Sequence, residues 1–213
     1  ASVTFTAADW DTPQTVTVTG VDDDLVDGTI TSTITIAVDD ANSDDGFDGL
    51  DDQTVSVDTL DDDVAGFTIE ETDGSTEVDE SGSTDIFTIV LDAQPTNDVV
   101  VLATASNDET EATVSGSITF TSENWDTPQT VTVTGVDDDL VDGDQTYDIT
   151  ISIVDTISDD EFDGVADQSV SSTTLDDDAP GFTIEETDAA TEVDESGSTD
   201  IFTVVLDAQP TSD

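Results

Sequence analysis

An all-β fold of tandem seven-stranded immunoglobulin-like antiparallel sandwiches is what this sequence predicts, and three observations predict it. Large apolar residues alternate with Thr, Ser or Asp in short runs, the period of a strand with one face in a core and the other in water. Turn-forming residues separate the runs, and no segment shows helical periodicity. The pattern then recurs: residues 1–98 align with 116–213 without a gap, at a period of 115 residues and with 72 of 98 positions identical.

The three-aspartate runs mark the boundaries of the repeat. Residues 1–63 read as the C-terminal part of one repeat, with its last four strands. Residues 64–178 read as a complete repeat, and 179–213 as the first two strands of a further one. In the complete repeat, strands are expected near 67–79 and at 85–91, 98–104, 117–121, 129–136, 146–154 and 168–175. The alternation is clearest in Thr130-Val131-Thr132-Val133-Thr134 and in Tyr147-Asp148-Ile149-Thr150-Ile151-Ser152-Ile153. Strand-breaking chemistry lies between them: Glu80-Ser81-Gly82, Gln94-Pro95-Thr96-Asn97, Asp126-Thr127-Pro128, Asp142-Gly143 and Asp163-Gly164. Seven short strands in about 115 residues suit an immunoglobulin-like sandwich. The sequence begins and ends inside a repeat and is read as part of a longer array.

Composition narrows the function. Asp and Glu number 55, Lys, Arg, His, Cys and Met are absent, and the formal charge is −55. Ser-His-Asp and Cys-His catalysis, Schiff bases, a P-loop lysine, haem or iron–sulfur ligation and ordinary zinc sites all lack their residues, so a non-enzyme is expected. The field of the chain repels phosphates and anionic headgroups, which argues against nucleic acid or membranes as partners. No stretch is long and apolar enough to span a bilayer, and no signal peptide is apparent. Such a charge often signals disorder. Against that, apolar residues make up 34% of the chain, include eight Phe, and sit in patterned runs.

Chain reversal at each connection sends alternate loops to one pole. Glu80, Asp108, Glu109, Asp137, Asp138, Asp139, Asp142, Asp176, Asp177 and Asp178 all fall on the same one. Two carboxylates about 5 Å apart repel by roughly 3 kcal/mol at an effective dielectric near 20, and no side chain here can neutralise them. A hard divalent cation with six to eight oxygen ligands suits such a cluster, and Ca²⁺ tolerates irregular carboxylate cages better than Mg²⁺ does. The bland alternative is that an acidic chain solvates every loop with Asp. Asp-Asp-Asp, however, occurs at 22–24, 61–63, 137–139 and 176–178, always on the same expected pole.

GFTIEETDGSTEVDESG (66–82), NWDTPQTVTVTGVDDDLVDGDQTY (124–147) and LDDD (175–178) resemble a Calx-beta domain, in the form repeated along giant bacterial surface adhesins. The resemblance covers the complete repeat and both partial ones. It implies a Calx-beta-like seven-stranded sandwich holding several Ca²⁺ ions per repeat at one pole. The implied ligands are Glu80, Asp137, Asp138, Asp142, Asp176, Asp177 and Asp178, with Asp108 for the loop between the third and fourth strands. Where Asp142 stands, the family often has Glu. The same mapping gives Asp22, Asp23, Asp27, Asp61, Asp62 and Asp63 in the first partial repeat and Glu195 in the last.

Weaker signals have plainer readings. Asp159, Glu161, Asp163 and Gly164 have EF-hand-like spacing, but the twelfth position is Val170, so a turn anchored by Phe162 is expected at the opposite pole. There it could face the aspartates 61–63 of the preceding repeat and share an ion. Trp125 beside Pro128 reads as a residue closing the base of the core. Paired carboxylates without an aromatic groove do not make a glycosidase. The expected function is a calcium-stiffened extender in a secreted cell-surface adhesin, each sandwich adding roughly 40 Å and contacting neighbouring repeats. An alternative is an extracellular filament or sheath, in which copies associate laterally and complete one another's sheets. A third reading is a salt-adapted acidic protein screened by monovalent ions.

Overall fold

The computed structural model describes residues 1–106, 110–187, 189–210 and 212. By its contacts the chain divides into residues 1–63 and 64–213. In 1–63 the alternating Thr/Ile and Thr/Val runs pair as β1 (Ile30–Ile36) and β2 (Gln53–Thr59), antiparallel from Ile30 opposite Thr59 to Ile36 opposite Gln53.

Residues 64–213 contain the complete repeat. Its strands are β3 (Phe67–Glu71), β4 (Thr76–Asp79), β5 (Thr84–Leu91), β6 (Val99–Ala105), β7 (Ala112–Val114), β8 (Ser117–Phe120), β9 (Gln129–Gly135), β10 (Gln145–Ile153) and β11 (Gln168–Leu175). They form a four-stranded sheet in the order β3-β5-β9-β7 and a five-stranded sheet in the order β4-β11-β10-β6-β8. Every pairing is antiparallel except β4 with β11. Period-two alternation fills the core from both sheets: Phe87, Ile89, Leu91, Val131 and Val133 from one, Val99, Val101, Phe120, Ile149 and Ile151 from the other, all essentially inaccessible to water. Tyr147 is also buried, and its hydroxyl is satisfied by Thr174 Oγ1 at 3.2 Å and Ser172 Oγ at 3.1 Å.

The chain is all-β, as the alternation predicts, but the strand boundaries differ in two places. The single strand expected over 67–79 is two strands in different sheets. The chain turns at Asp73-Gly74, where Gly74 has φ +80°, so that β3 pairs with β5 and β4 with β11. The three-residue β7 is additional. Crossing over brings the end of β4 hard against the end of β9. A Cβ built on Gly135 would fall 1.9 Å from the Asp79 carbonyl oxygen, and Gly135 N–H donates to Ser83 O at 3.0 Å.

The opposite pole closes around a short 3-10 turn, Asp160–Phe162. Phe162 is buried, and Asp159 caps the turn by accepting from Glu161 N at 3.2 Å. Asp159 also accepts from Thr96 Oγ1 at 2.8 Å and Asn97 N at 2.6 Å. Burial raises the Asp159 pKa, but these donors outweigh it and hold the carboxyl below its ordinary range. The EF-hand-like spacing thus builds a turn whose leading carboxylate is already occupied by protein donors. Trp125 is half-buried, and its carbonyl accepts from Leu91 N at 3.1 Å.

The partial repeats keep local structure without a core. Residues 179–213 form β12 (Phe182–Glu186) and β13 (Phe202–Leu206), paired from Phe182 opposite Leu206 to Glu186 opposite Phe202. In 1–63, the segments 2–5 and 14–20, counterparts of β8 and β9, form no strand. Apolar side chains at these positions are exposed, among them Phe5, Val16, Val18, Phe182 and Val204. Phe87 is 0% exposed, whereas Phe202, one period later, is 54% exposed.

That contrast predicts unequal costs for the same truncation. Phe87→Ala should destabilise the complete repeat by about 3–5 kcal/mol. Phe202→Ala should cost under about 1 kcal/mol. Urea denaturation followed by circular dichroism on both variants of the 213-residue chain checks this.

Candidate metal centre

Four stretches distant in sequence deliver carboxylates to one pole of the complete repeat. The first is Glu80, directly after β4. Its N–H donates to Leu175 O at 3.2 Å, which fixes the residue beside the exit of β11. Glu80 is 1% exposed, and its Oε2 has no hydrogen-bond partner. The second is the aspartate run after β11. Asp176 Oδ1 accepts from Asp178 N at 2.9 Å and Oδ2 from Gly143 N at 2.7 Å, so Asp176 clips its own loop to the loop after β9. Asp178 Oδ2 is buried without a partner. Glu80, Asp177 and Asp178 each offer an oxygen within 4.8 Å of the others.

The third stretch is the loop after β9. Asp138 Oδ1 accepts from Leu140 N at 2.7 Å, an Asx turn that folds the loop back across the pole. Asp138, Asp176 and Asp142 repel the Glu80 carboxylate, while Asp137 and Asp139 act on Asp178. The fourth is Glu111, immediately before β7. Its Oε2 is buried and unpartnered, and Asp142 and Asp138 lie close enough to raise its pKa, after burial, which is the largest cause. Glu111 was not among the sequence-predicted ligands. Of the two acids expected from that loop, Asp108 lies outside the described residues, as does Glu109.

Electrostatics at the pole run one way. Burial, then Asp138 and Asp176, push the Glu80 carboxyl from 4.5 up to about 7, with the Asp177 N–H offsetting part of the rise. Asp178 is raised by loss of solvent and by Asp139, Asp177, Asp176 and Asp137 in that order. Glu80, Glu111 and Asp178 each keep one buried oxygen that no protein donor meets, and buried carboxylates of this kind need a partner. An all-carboxylate donor set is the kind that suits a hard divalent ion, and the oxygens that converge closely enough to share one are those of Glu80, Asp177 and Asp178.

The first partial repeat carries the same clip. Asp61 Oδ2 accepts from Gly28 N at 2.7 Å and Asp27 N at 3.1 Å, and Oδ1 accepts from Asp63 N at 2.9 Å. Asp23 Oδ1 accepts from Leu25 N at 3.1 Å, as Asp138 does from Leu140. Asp63 is raised by burial and then by Asp61, Asp62, Asp24 and Asp22, which places both aspartate runs together. Glu195 is exposed, and among the described residues it belongs to no group of three carboxylates able to hold an ion.

The acidic pole also touches the next segment of chain. Asp139 O accepts from Gln209 N at 2.6 Å, and Leu140 and Gln209 form a parallel bridge. Val141, Pro180, Leu206 and Pro210 line a cavity of about 380 Å³ beside it. The loop that presents Asp138 and Asp142 is therefore the loop against which the following partial repeat rests.

No family model matches the chain, and no curated protein does. Among solved structures it is similar to the E. coli chaperone DraB (9% identity, TM-score 0.37, covering 55% of this chain and 59% of that one). It is also similar to CBD12 from CALX1.2 (17% identity, TM-score 0.37, 60% and 51%) and to domains 1–6 of the surface layer protein SbsC (18% identity, TM-score 0.33, 70% and 19%). The chain thus spans less than two thirds of the length of each. Among the described residues, no helix is long and apolar enough to cross a membrane.

The shifted Glu80 gives a pH dependence of unusual sign. A carboxyl at about 7 in the folded state and 4.5 unfolded binds its proton more tightly when folded. Its contribution to stability is complete below about pH 4.5 and is lost as pH rises through about 7. In EDTA, the melting temperature should fall between about pH 5 and pH 8, and Glu80→Gln should flatten that slope. Calorimetry across this range decides; a melting temperature that rises with pH in the parent chain excludes the buried, repelled carboxyl.

Proposed function

We propose that this chain is a non-catalytic, calcium-binding structural segment of a secreted cell-surface protein, an extender whose joints are stiffened by ions. One observation carries the reading. The Glu80 carboxylate, buried and with its Oε2 unpartnered, meets Asp177 and Asp178 at the exit of β11, beside the loop whose Asp139 carbonyl holds Gln209 of the next repeat.

Glu80, Glu111, Asp138, Asp142, Asp177 and Asp178 would hold the ions, with Asp176 fixing the loops between them. Bound Ca²⁺ supplies the positive charge that the sequence lacks. The residues' own part is geometric: they join the ends of β4 and β11 to the loop after β9, which in turn grips residues 209 and 210. Without the ion, mutual repulsion loosens that loop; with it, the turn from one sandwich into the next loses its freedom to bend. Extracellular modules of this chemistry bind at roughly 10⁻⁴ to 10⁻³ M, so the joint would be pliable in a calcium-poor cytoplasm and stiff outside the cell. The resemblance to Calx-beta repeats of bacterial adhesins supports both the ion and the setting. In the first partial repeat Asp22, Asp23, Asp27, Asp61, Asp62 and Asp63 would form a comparable half-site, completed in a full repeat by the counterpart of Glu80.

A calcium titration tests the proposal. At about 100 times the dissociation constant, ligand binding adds about 2.7 kcal/mol. For a repeat of this size that raises the melting temperature by roughly 10 °C. NaCl at matched ionic strength should not reproduce the rise, and Glu80→Gln combined with Asp177→Asn should abolish most of it. Equal melting temperatures in EDTA with NaCl and in CaCl₂ would leave only unspecific screening of an acidic surface. Small-angle scattering with and without calcium then reads the stiffening of the joint.

A further inference from the structure

Asp precedes six of the thirteen glycines in this chain, and an Asp-Gly bond is where a polypeptide most readily rearranges on its own. The glycine nitrogen, with no side chain to shield it, attacks the carbonyl carbon of the Asp side chain. A C–N bond forms, the side-chain hydroxyl leaves with the amide proton as water, and a succinimide ring results. Water then opens the ring. Attack at the side-chain carbonyl restores aspartate, whereas attack at the main-chain carbonyl leaves isoaspartate, whose backbone runs through the former side chain and is one carbon longer. Only water is released and consumed, and no oxidation state changes. With Cys, Met, His and Lys absent, most other routes of spontaneous covalent damage are closed to this chain.

The structure divides these bonds by what their glycine N–H groups meet. Gly143 N–H donates to Asp176 Oδ2 at 2.7 Å, and in the first copy Gly28 N–H donates to Asp61 Oδ2 at 2.7 Å. In both, the Asp-Gly bond of the loop is held by a carboxylate from across the pole. An N–H fixed in a charged hydrogen bond cannot swing toward its neighbour's carbonyl carbon, and the adjacent negative charge opposes the loss of the proton that attack requires. Asp73-Gly74 is the opposite case. It lies among the bends of residues 72–75 between β3 and β4, and Asp73 is exposed. Among the described residues, neither the Asp73 carboxylate nor the Gly74 N–H has a hydrogen-bond partner. The third such bond of the complete repeat, Asp163-Gly164, is more restrained: Asp163 has helical backbone (φ −59°, ψ −25°) and its N–H donates to Asp160 O.

The next copy of the 72–75 turn bears on this directly. One period later Asp73-Gly74-Ser75 becomes Asp188-Ala189-Ala190, and the residues from 66 to 85 are otherwise repeated unchanged at 181–200. Gly74 has φ +80° and Ala189 keeps φ +67°, a left-handed backbone that strains alanine and not glycine. The turn keeps its shape at a cost, and the Asp-Gly bond is gone. We propose that Asp73-Gly74 is a site of spontaneous isoaspartate formation in the complete repeat, and that the Asp176 carboxylate, like Asp61 at Asp27-Gly28, keeps Asp142-Gly143 from the same reaction. One added backbone carbon at Asp73 falls in a stretch of bends outside both strands, so β3 and β4 can keep their sheets. The same addition at Asp142 would displace the Gly143 N–H from Asp176 and part the two loops that this hydrogen bond joins. Asp176 thus protects the loop's covalent structure as well as its shape, whether or not an ion is bound at the pole.

The test incubates the 213-residue chain in EDTA at neutral pH for several weeks, both folded and in urea. A Glu-specific protease then releases residues 72–77 and 187–192 as matched peptides and 124–161 as a longer one. Isoaspartate has the mass of aspartate, so electron-transfer fragmentation counts it in each. In the folded chain Asp73 should convert at least about tenfold faster than Asp142, the weight of one charge-assisted hydrogen bond that attack must break. In urea the two rates should converge. Asp176→Ala should bring Asp142 toward the rate of Asp73 while circular dichroism shows the sheets intact, and Gly74→Ala should slow Asp73 to the rate of Asp188. Equal rates at Asp73 and Asp142 in the folded parent, or a lead of Asp73 that persists in urea, overturns the proposal. So does a folded Asp176→Ala chain in which Asp142 stays slow. Should that variant lose its sheets, Asp61→Ala repeats the comparison at Asp27-Gly28, where there is no core to lose, and an unchanged rate at Asp27 overturns the proposal equally.

Discussion

Every carboxylate in this chain lacks a cationic side chain to meet, and that constraint shapes the structure from the core outward. In most domains a buried Glu pairs with Arg or Lys, or is replaced by an apolar residue. Here Glu80 is as inaccessible as the core phenylalanines, yet repulsion from Asp138 and Asp176 adds to the burial that already disfavours its charge. Such a group is tolerable in two forms only, protonated or bound to a cation from outside. The fold places it where the second is possible, at a pole open to solvent ions and next to other converging oxygens. At the other pole the buried Asp159 follows a different rule: donors from Thr96, Asn97 and Glu161 satisfy it, and it stays ionised without help. The contrast between these two acids separates a candidate site from a structural cap.

Much of this was legible because period-two alternation and turn chemistry are local signals. Six of the seven expected strands lie within a residue of those observed, and the parity of the connections places Glu80 and the aspartate runs on one pole. What escaped was decided by partners instead of propensity. The 67–79 stretch alternates throughout, so nothing local shows that Phe67–Glu71 joins one sheet and Thr76–Asp79 the other; only the parallel pairing of β4 with β11 does. Glu111 was missed for a related reason. The strand after it is three residues long, too short for alternation to fix its register, and the more conspicuous Asp108-Glu109 pair nearby drew the assignment. The signal that could have found it is Ala112-Thr113-Val114, an apolar–polar–apolar run that begins one residue after an acid. In 1–63 the same Thr-Val run that forms β9 in the complete repeat stays irregular, since strand propensity without a neighbouring strand leaves the backbone unpaired.

The aspartates within each run have different work. Asp176 accepts backbone N–H groups on both oxygens, one from its own loop and one from Gly143, and Asp61 repeats this with Asp63 and Gly28. The first aspartate therefore staples the strand exit to the loop across from it through backbone N–H groups alone. The next two are left with oxygens directed elsewhere, and Asp177 and Asp178 join Glu80. Asp suits this better than Glu: its short side chain reaches the N–H two residues on and closes an Asx turn, whereas one more methylene would overshoot it. The occurrence of the same clip in both copies, one beside a full core and the other without one, shows that the local sequence builds it.

Pre-formed clips also explain how an ion at the pole could control geometry beyond it. Were the loops unstructured without metal, binding would have to order several segments at once, and most of the binding energy would go into that ordering. With Asp176 and Asp138 already folding their loops through backbone N–H groups, the ion has only to oppose repulsion among side chains that are nearly in place. On that reading its influence would pass through a short path. Asp138 and Asp142 flank Asp139, Leu140 and Val141; the Asp139 carbonyl takes the Gln209 N–H, and Val141 borders the cavity with Pro180 and Pro210. Pro180 fixes one φ in the connection between β11 and β12 by its ring, while Asp177, Asp178, Ala179 and Gly181 keep theirs. On the proposed reading, an ion held by Asp177 and Asp178 would therefore remove freedom from the connection itself.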